Sequence, residues 1–187
     1  MGCNDTPGPG GRQGAYFRAM PPLLLVADDH PLMRAAVMQV LRESLPDYRV
    51  LEAASAATLG EVLAAHPGVE LALLDLNMPG ARGFSALLHV RGEYPGVPVV
   101  VISSNDHPRV IRRAQQFGAA GFIPKSAPVE TIAIAVREVL DGGTWFPPMA
   151  AERSDADAAL AARLASLTPQ QFRVLLSLAD GLLNKQI

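Results

Sequence analysis

From residue 23 onward, apolar residues fall into two alternating patterns. Short runs rich in apolar residues stand at 23–27 (LLLVA), 48–52, 70–74 (ELALL), 97–102 (VPVVVI) and 121–123. Runs of this length, rich in aliphatic and β-branched side chains, predict strands buried on both faces. Between them the spacing changes. Residues 31–45 carry apolar side chains at 32, 33, 36, 37, 40, 41 and 45, the stripe of an amphipathic helix. Pro31 suits its first turn, where an N–H would be unpaired anyway. Further helices are predicted over 55–65, with Ser55 as N-cap, and over 83–93. Two more are predicted over 106–117, stopped by Gly118, and over 128–140, closed by Gly142 and Gly143.

Strand and helix thus alternate five times over residues 23–143. Such alternation predicts an α/β domain with a parallel sheet covered on both faces. Right-handed crossovers then make it a doubly wound, five-stranded sheet. Ligands of such sheets bind beyond the carboxyl ends of the strands, near the point where the strand order reverses.

The flanks differ. Residues 1–22 hold five Gly and four Pro without periodicity and predict a disordered leader. They lack the apolar core of a secretory signal. Residues 144–167 predict a linker, with a helix near 155–166. In 168–187, Thr168 as N-cap, Pro169 and Gln171 form a capping-box pattern that opens a helix.

Composition narrows the function. Of 187 residues, 49% are hydrophobic and 18% charged, which excludes global disorder. Charges, Pro or Gly interrupt every apolar run before it reaches membrane-spanning length, so no membrane partner is expected. A net charge of −2 gives no general attraction to nucleic acid. The single cysteine, Cys3, excludes an intrachain disulfide and a cysteine-based zinc site. Of 16 basic residues only Lys125 and Lys185 are lysine, and Lys125 directly follows an apolar strand.

The strand ends carry the chemistry. Asp28 and Asp29 follow the first strand, Asp75 the third, Ser103 and Ser104 the fourth, and Lys125 the fifth. Three carboxylates held together repel unless a cation intervenes. Mg²⁺ suits them best, because it uses few carboxylates and keeps waters for a phosphate partner. Lys125 supplies a point charge for phosphate, and Ser103 a hydroxyl donor. A carboxylate so placed can attack phosphorus and form an aspartyl-phosphate. The transfer needs mainly positioning and charge neutralisation.

With these residues in place, 23–143 resemble a response-regulator receiver domain of bacterial two-component signalling, with its flavodoxin-like fold. The segments VADDHP, LLDLNMPGARG and GAAGFIPKS carry the resemblance. It implies that Asp75 is the phosphoacceptor, and that Asp28, Asp29, Asp75 and the backbone carbonyl of Asn77 hold Mg²⁺. It implies that Lys125 pairs with the phosphate, that Ser103 is the switch hydroxyl and that Phe122 is the switch aromatic. Met78, Pro79 and Gly83 fit the loop after the phosphoacceptor. Ser126 directly after Lys125, where many receivers have Pro, and the Ser103-Ser104 pair suit the NarL/FixJ/LuxR-type branch. The implied partners are a sensor histidine kinase and, on phosphorylation, a second copy of the chain. The implied location is cytoplasmic.

Residues 168–187 are similar to the start of a LuxR-type helix-turn-helix domain, including Asn184-Lys185-Gln186-Ile187. They stop before a recognition helix and carry only Arg173 and Lys185 as basic residues. This chain is therefore expected not to bind DNA specifically, while a full-length form would control transcription. A stand-alone receiver acting through protein contacts is the alternative.

Plainer readings apply elsewhere. His30 reads as a loop histidine, since Mg²⁺ prefers oxygen. Arg109, Arg112 and Arg113 read as a solvated helix face. An aspartyl-phosphate phosphatase is disfavoured, because its usual second acid, two residues after the nucleophile, is here Asn77. The chain is therefore expected to be no enzyme, beyond slow self-dephosphorylation. A nucleotide-binding reading lacks any G-x-G-x-x-G or Walker-type loop after a strand.

Overall fold

A computed structural model describes residues 21–148, together with 163, 166–168, 170, 171 and 174. The leader up to residue 20, most of the predicted linker helix and most of 168–187 lie outside the described residues. Ten elements alternate: β1 (Leu23–Ala27), α1 (Pro31–Ser44), β2 (Arg49–Ala53), α2 (Ala56–Ala65), β3 (Val69–Asp75), α3 (Ser85–Glu93), β4 (Val99–Ser103), α4 (Pro108–Gln116), β5 (Gly121–Pro124) and α5 (Glu130–Leu140). The five strands form one parallel sheet in the order β2-β1-β3-β4-β5. The order reverses between β1 and β3, so the carboxyl ends of these two strands open the crevice.

Strand parity divides the core in two. Leu25, Ala72, Leu74, Val99, Val101 and Phe122 face α2, α3 and α4, where they meet Leu59, Leu87 and Ile111. Leu24, Val26, Leu71, Leu73, Val100 and Ile123 face α1 and α5, where they meet Val37, Leu41 and Val136. β1 and β4 are buried on both faces and carry no polar alternation before their ends, whereas the edge strand β2 exposes Arg49 and Glu52. Following the same parity, Asp75 and, one residue beyond their strands, Asp28 and Lys125 all belong to the α1/α5 side.

Element boundaries follow local chemistry. Ser55 caps α2 as predicted: its hydroxyl accepts the Thr58 N–H at 3.1 Å, and Thr58 Oγ1 accepts the Ser55 N–H at 3.0 Å. β4 begins at Val99, because Pro98 has no N–H to give the ladder, although its carbonyl accepts the Ala72 N–H at 3.0 Å. α3 begins at Ser85, because Gly83 turns left-handed at φ +57°. α4 begins at Pro108, because the Asn105 side chain accepts the His107 N–H at 3.3 Å and holds that residue outside the helix. At the far end of the chain, Thr168 and Gln171 bond reciprocally, N–H to side-chain oxygen in each direction, at 2.9 and 3.3 Å. This is the capping box read from the sequence.

The sheet reaches beyond 23–143 at both ends. The Pro22 carbonyl accepts the Arg49 N–H at 2.9 Å. Trp145 pairs with Gly121 on the outer edge of β5, taking the Phe122 N–H at 2.7 Å and giving its own N–H to Ala120 at 3.1 Å. Trp145 then packs on the α1/α5 side and Phe146 on the opposite side. Gly121 permits this crossing: a Cβ there would lie 3.0 Å from the Trp145 carbonyl and 3.3 Å from both Val100 methyls. Gly121→Ala is therefore expected to destabilise the fold by about 1–3 kcal/mol, as overpacking does. A urea unfolding midpoint equal to wild type would refute this close approach.

Candidate functional site

Each acid is set by the element before it. Asp28 leaves β1 with its N–H still bonded to the Ala53 carbonyl of β2 at 3.1 Å. Its Oδ1 turns back to accept the His30 N–H at 2.8 Å, which brings the chain round into α1. Arg34, one turn into α1, donates from its terminal guanidinium to the Asp28 carbonyl at 2.7 Å and from Nε to Glu52 Oε2 at 2.9 Å. The acid loop is thereby tied to the end of β2. Nothing in the sequence pattern distinguished Arg34 or Glu52 for this task, since their contacts join residues 18 apart.

Asp75 closes β3 and is 1% exposed. Its Oδ1 accepts the Asn77 N–H at 3.1 Å, and its Oδ2 accepts from Lys125 Nζ at 2.7 Å. Lys125 Nζ also lies 2.8 Å from Asp28 Oδ2. One ammonium thus bridges carboxylates from β1 and β3. Below it, the Lys125 N–H donates to the Ser103 carbonyl at 2.8 Å, which fixes the root of the side chain to the end of β4. Among the described residues all peptide bonds are trans, the one after Lys125 included.

Burial of the Lys125 ammonium pulls its pKa down. The hydrogen bonds to Asp28 and Asp75 and their negative charges outweigh that effect and raise it above the ordinary 10.5.

Ser103 is buried, and its Oγ accepts the Asn105 N–H at 3.2 Å, so the hydroxyl proton is free for another acceptor. Phe122 is fully buried in the cluster that contains Ile111 and Ala114 of α4. Of the residues singled out in the sequence, Asp28, Asp29, Asp75 and Lys125 meet directly or through shared neighbours. Ser103 and Phe122 stand one and two strands away. Met78 is buried beneath the following loop, whose Pro79 carbonyl accepts the Ala56 N–H at 3.0 Å.

His30 joins the site, although its sequence position reads as a plain loop histidine. Its Nδ1 lies 2.8 Å from Asp29 Oδ1, 3.2 Å from Asp28 Oδ1 and 3.8 Å from Asp75 Oδ2. One donor atom from each of Asp28, Asp29, His30 and Asp75 falls within 4.8 Å of every other. Asp29 Oδ1 is shielded from water yet has no aligned hydrogen bond. With one ammonium against three carboxylates, the cluster retains an excess of negative charge. A shielded, unsatisfied carboxylate oxygen among them fits a small divalent cation.

This arrangement on a doubly wound sheet defines a receiver-type fold. Residues 24–137 match the response regulator receiver domain, and the chain belongs to that family. It is the receiver of a two-component response regulator related to the NarL/LuxR group. The chain is 36% identical over 173 residues to the glycerol metabolism activator of Pseudomonas putida, covering 88% of this chain and 78% of that protein. It is 33% identical over 172 residues to the nitrate/nitrite response regulator NarL of Escherichia coli K12, covering 89% and 79%. Among solved structures, a LuxR family DNA-binding response regulator from Silicibacter pomeroyi superposes with a TM-score of 0.60 at 32% identity, covering 68% of this chain and 97% of that one. Receiver domains generally bind Mg²⁺ at an acidic pocket, and Asp28, Asp29 and Asp75 form an acidic cluster here. Among the described residues, no helix is long and apolar enough to cross a membrane.

Removing the bridging ammonium leaves two buried carboxylates uncompensated. In metal-free protein, Lys125→Met is expected to cost about 1–3 kcal/mol, less than a fully buried pair because the ammonium keeps some contact with water. The folded pKa lies above the unfolded one. The Lys125 contribution is therefore complete below the unfolded value of 10.5 and is lost as pH rises through the folded value. Urea midpoints of wild type and variant should converge on the alkaline side. A constant gap across that range would refute the bridge.

Proposed function

We propose that Asp75 accepts a phosphoryl group from a sensor histidine kinase, and that the added charge changes the conformation and self-association of the receiver. In a form with a complete DNA-binding domain, that change controls transcription. The single observation that carries this reading is the Lys125 ammonium bridging Asp28 and Asp75 at 2.8 and 2.7 Å, at the carboxyl edge of the sheet.

Asp75 is the nucleophile. As its carboxylate oxygen bonds to phosphorus, the bond from phosphorus to the kinase histidine nitrogen breaks, and that nitrogen leaves with the electron pair. The Asn77 N–H holds Asp75 Oδ1 and so orients the carboxylate for attack. Lys125 Nζ, already 2.7 Å from Asp75 Oδ2, is placed to follow the charge onto the phosphoryl oxygens. Mg²⁺ held by Asp28, Asp29, Asp75 and the Asn77 carbonyl would neutralise the phosphoryl charge during transfer. No general base is needed, since Asp75 reacts as its carboxylate. Turnover of other substrates is not part of this function, because Asn77 offers no acid two residues after Asp75.

The readout runs through β4 and β5. The free proton of Ser103 is available to a phosphoryl oxygen, and Lys125 is bonded to the Ser103 carbonyl through its own N–H. Phe122 on β5 packs in the same cluster as α4, so a shift of the β4–β5 ends is felt by the α4-β5-α5 face. Dimerisation through the receiver is the proposed consequence, and similarity to the transcriptional activator protein ExaE of Pseudomonas putida supports a role in gene control.

Incubation of the full chain with a small phosphodonor and Mg²⁺ is expected to add one phosphoryl group by intact mass. Asp75→Asn is expected to abolish it. Incorporation that survives this substitution would sink the assignment.

A further inference from the structure

Four lone-pair atoms crowd one point at the mouth of the site. Asp28 Oδ1, Asp29 Oδ1, Asp75 Oδ2 and His30 Nδ1 come from four side chains at the carboxyl ends of β1 and β3. A proton on Nδ1 can serve only one oxygen at a time. It does not serve Asp29 Oδ1, which lies 2.8 Å away without hydrogen-bond alignment and is shielded from water. Nδ1 also lies 3.5 Å from Lys125 Nζ, and an ammonium can only donate. The imidazole nitrogen therefore stands between acceptors that ask it for a proton and a donor that asks it for a lone pair. Neither tautomer satisfies both sides. A divalent cation takes lone pairs from the nitrogen and the oxygens together, while Lys125 Nζ keeps Asp28 Oδ2 and Asp75 Oδ2 as its acceptors.

The spacing agrees. In an octahedron with bonds of about 2.1 Å, adjacent donors lie roughly 3.0 Å apart and opposite ones roughly 4.2 Å. His30 Nδ1 stands 2.8, 3.2 and 3.8 Å from the three carboxylate oxygens. Mg²⁺ gains little from a nitrogen ligand, since it is a hard ion that prefers oxygen. Co²⁺, Ni²⁺ and Zn²⁺ gain much more from imidazole.

We propose that His30 is a nitrogen ligand in the aspartate pocket and makes it selective for borderline transition-metal ions over Mg²⁺. This rests on the reading of the pocket as the metal site of a phosphoacceptor. The same pocket then holds two kinds of ion differently. Mg²⁺ uses the oxygens and keeps its remaining positions for water and phosphate. A borderline ion also engages His30, so one fewer position stays open to an incoming phosphoryl group.

The test is calorimetric titration of the whole 187-residue chain with Mg²⁺ and, separately, Co²⁺, in wild type, His30→Ala and Asp29→Asn, with the visible absorption of Co²⁺ as a second readout. His30→Ala is expected to weaken Co²⁺ tenfold or more, to change Mg²⁺ less than threefold, and to shift the Co²⁺ band as nitrogen leaves the coordination sphere. Asp29→Asn is expected to weaken both ions, which places both in one pocket. Unchanged Co²⁺ affinity in His30→Ala overturns the proposal. So does an equal loss for Mg²⁺, which would mean that His30 only shapes the loop. So does Co²⁺ binding that ignores Asp29→Asn, which would locate the ion at His66, His89 or His107. If wild type binds Mg²⁺ and takes up phosphate while His30→Ala leaves Co²⁺ untouched, only the His30 inference fails. If wild type neither binds Mg²⁺ nor takes up phosphate, the phosphoacceptor reading fails with it.

Discussion

The repulsion among Asp28, Asp29 and Asp75 is the constraint that the rest of the site answers. Carboxylates at the ends of two adjacent central strands would force those strands apart if left alone. Lys125 opposes this with an ammonium that touches two of them at once. Its reach depends on β5 standing next to β4, and on a main-chain bond to Ser103 that anchors its root. Arg34 adds a second restraint from the other side, by holding the Asp28 carbonyl while itself held by Glu52. The sheet order and the charge balance are therefore one arrangement. Remove the β1–β3 adjacency and the acids never meet; remove Lys125 and they meet at a cost.

Most of the fold was legible because strand parity and helix period write themselves into apolar spacing. β1 begins and ends where the apolar run does. The errors sit at residues whose placement is decided by single hydrogen bonds or by backbone sign. Gly83, Pro98 and Asn105 each moved a boundary by one to two residues, through a positive φ, a missing N–H and a side-chain acceptor. Trp145 extended the sheet past its expected end through a pairing with Gly121 that no periodicity announces.

The candidate site was legible for a related reason. In a doubly wound sheet, strand ends converge by topology, so naming the residues after each strand names the constellation. Side-chain direction does not follow from that rule. Ser103 turns its oxygen to Asn105, and Arg34 and His30 enter the site from α1 and its approach. Arg34 reads as any surface arginine and His30 as any loop histidine until the loop's turn is known. Their contacts depend on how Asp28 Oδ1 folds back on the His30 N–H, a local bond invisible in composition or spacing.

The bridge that Trp145 adds at the margin of β5 bears on how the molecule behaves in a crowded solution. An open sheet presents two rims of unpaired peptide groups, and such rims invite neighbours to continue the ladder into aggregates. Here the chain's own exit segment occupies part of one rim, through the Phe122 and Trp145 N–H groups. The other rim, β2, is five residues long and exposes Arg49 and Glu52, charges that discourage a further strand from adding. The domain thus has both lateral routes to uncontrolled polymerisation blunted, one by its own continuation and one by charge.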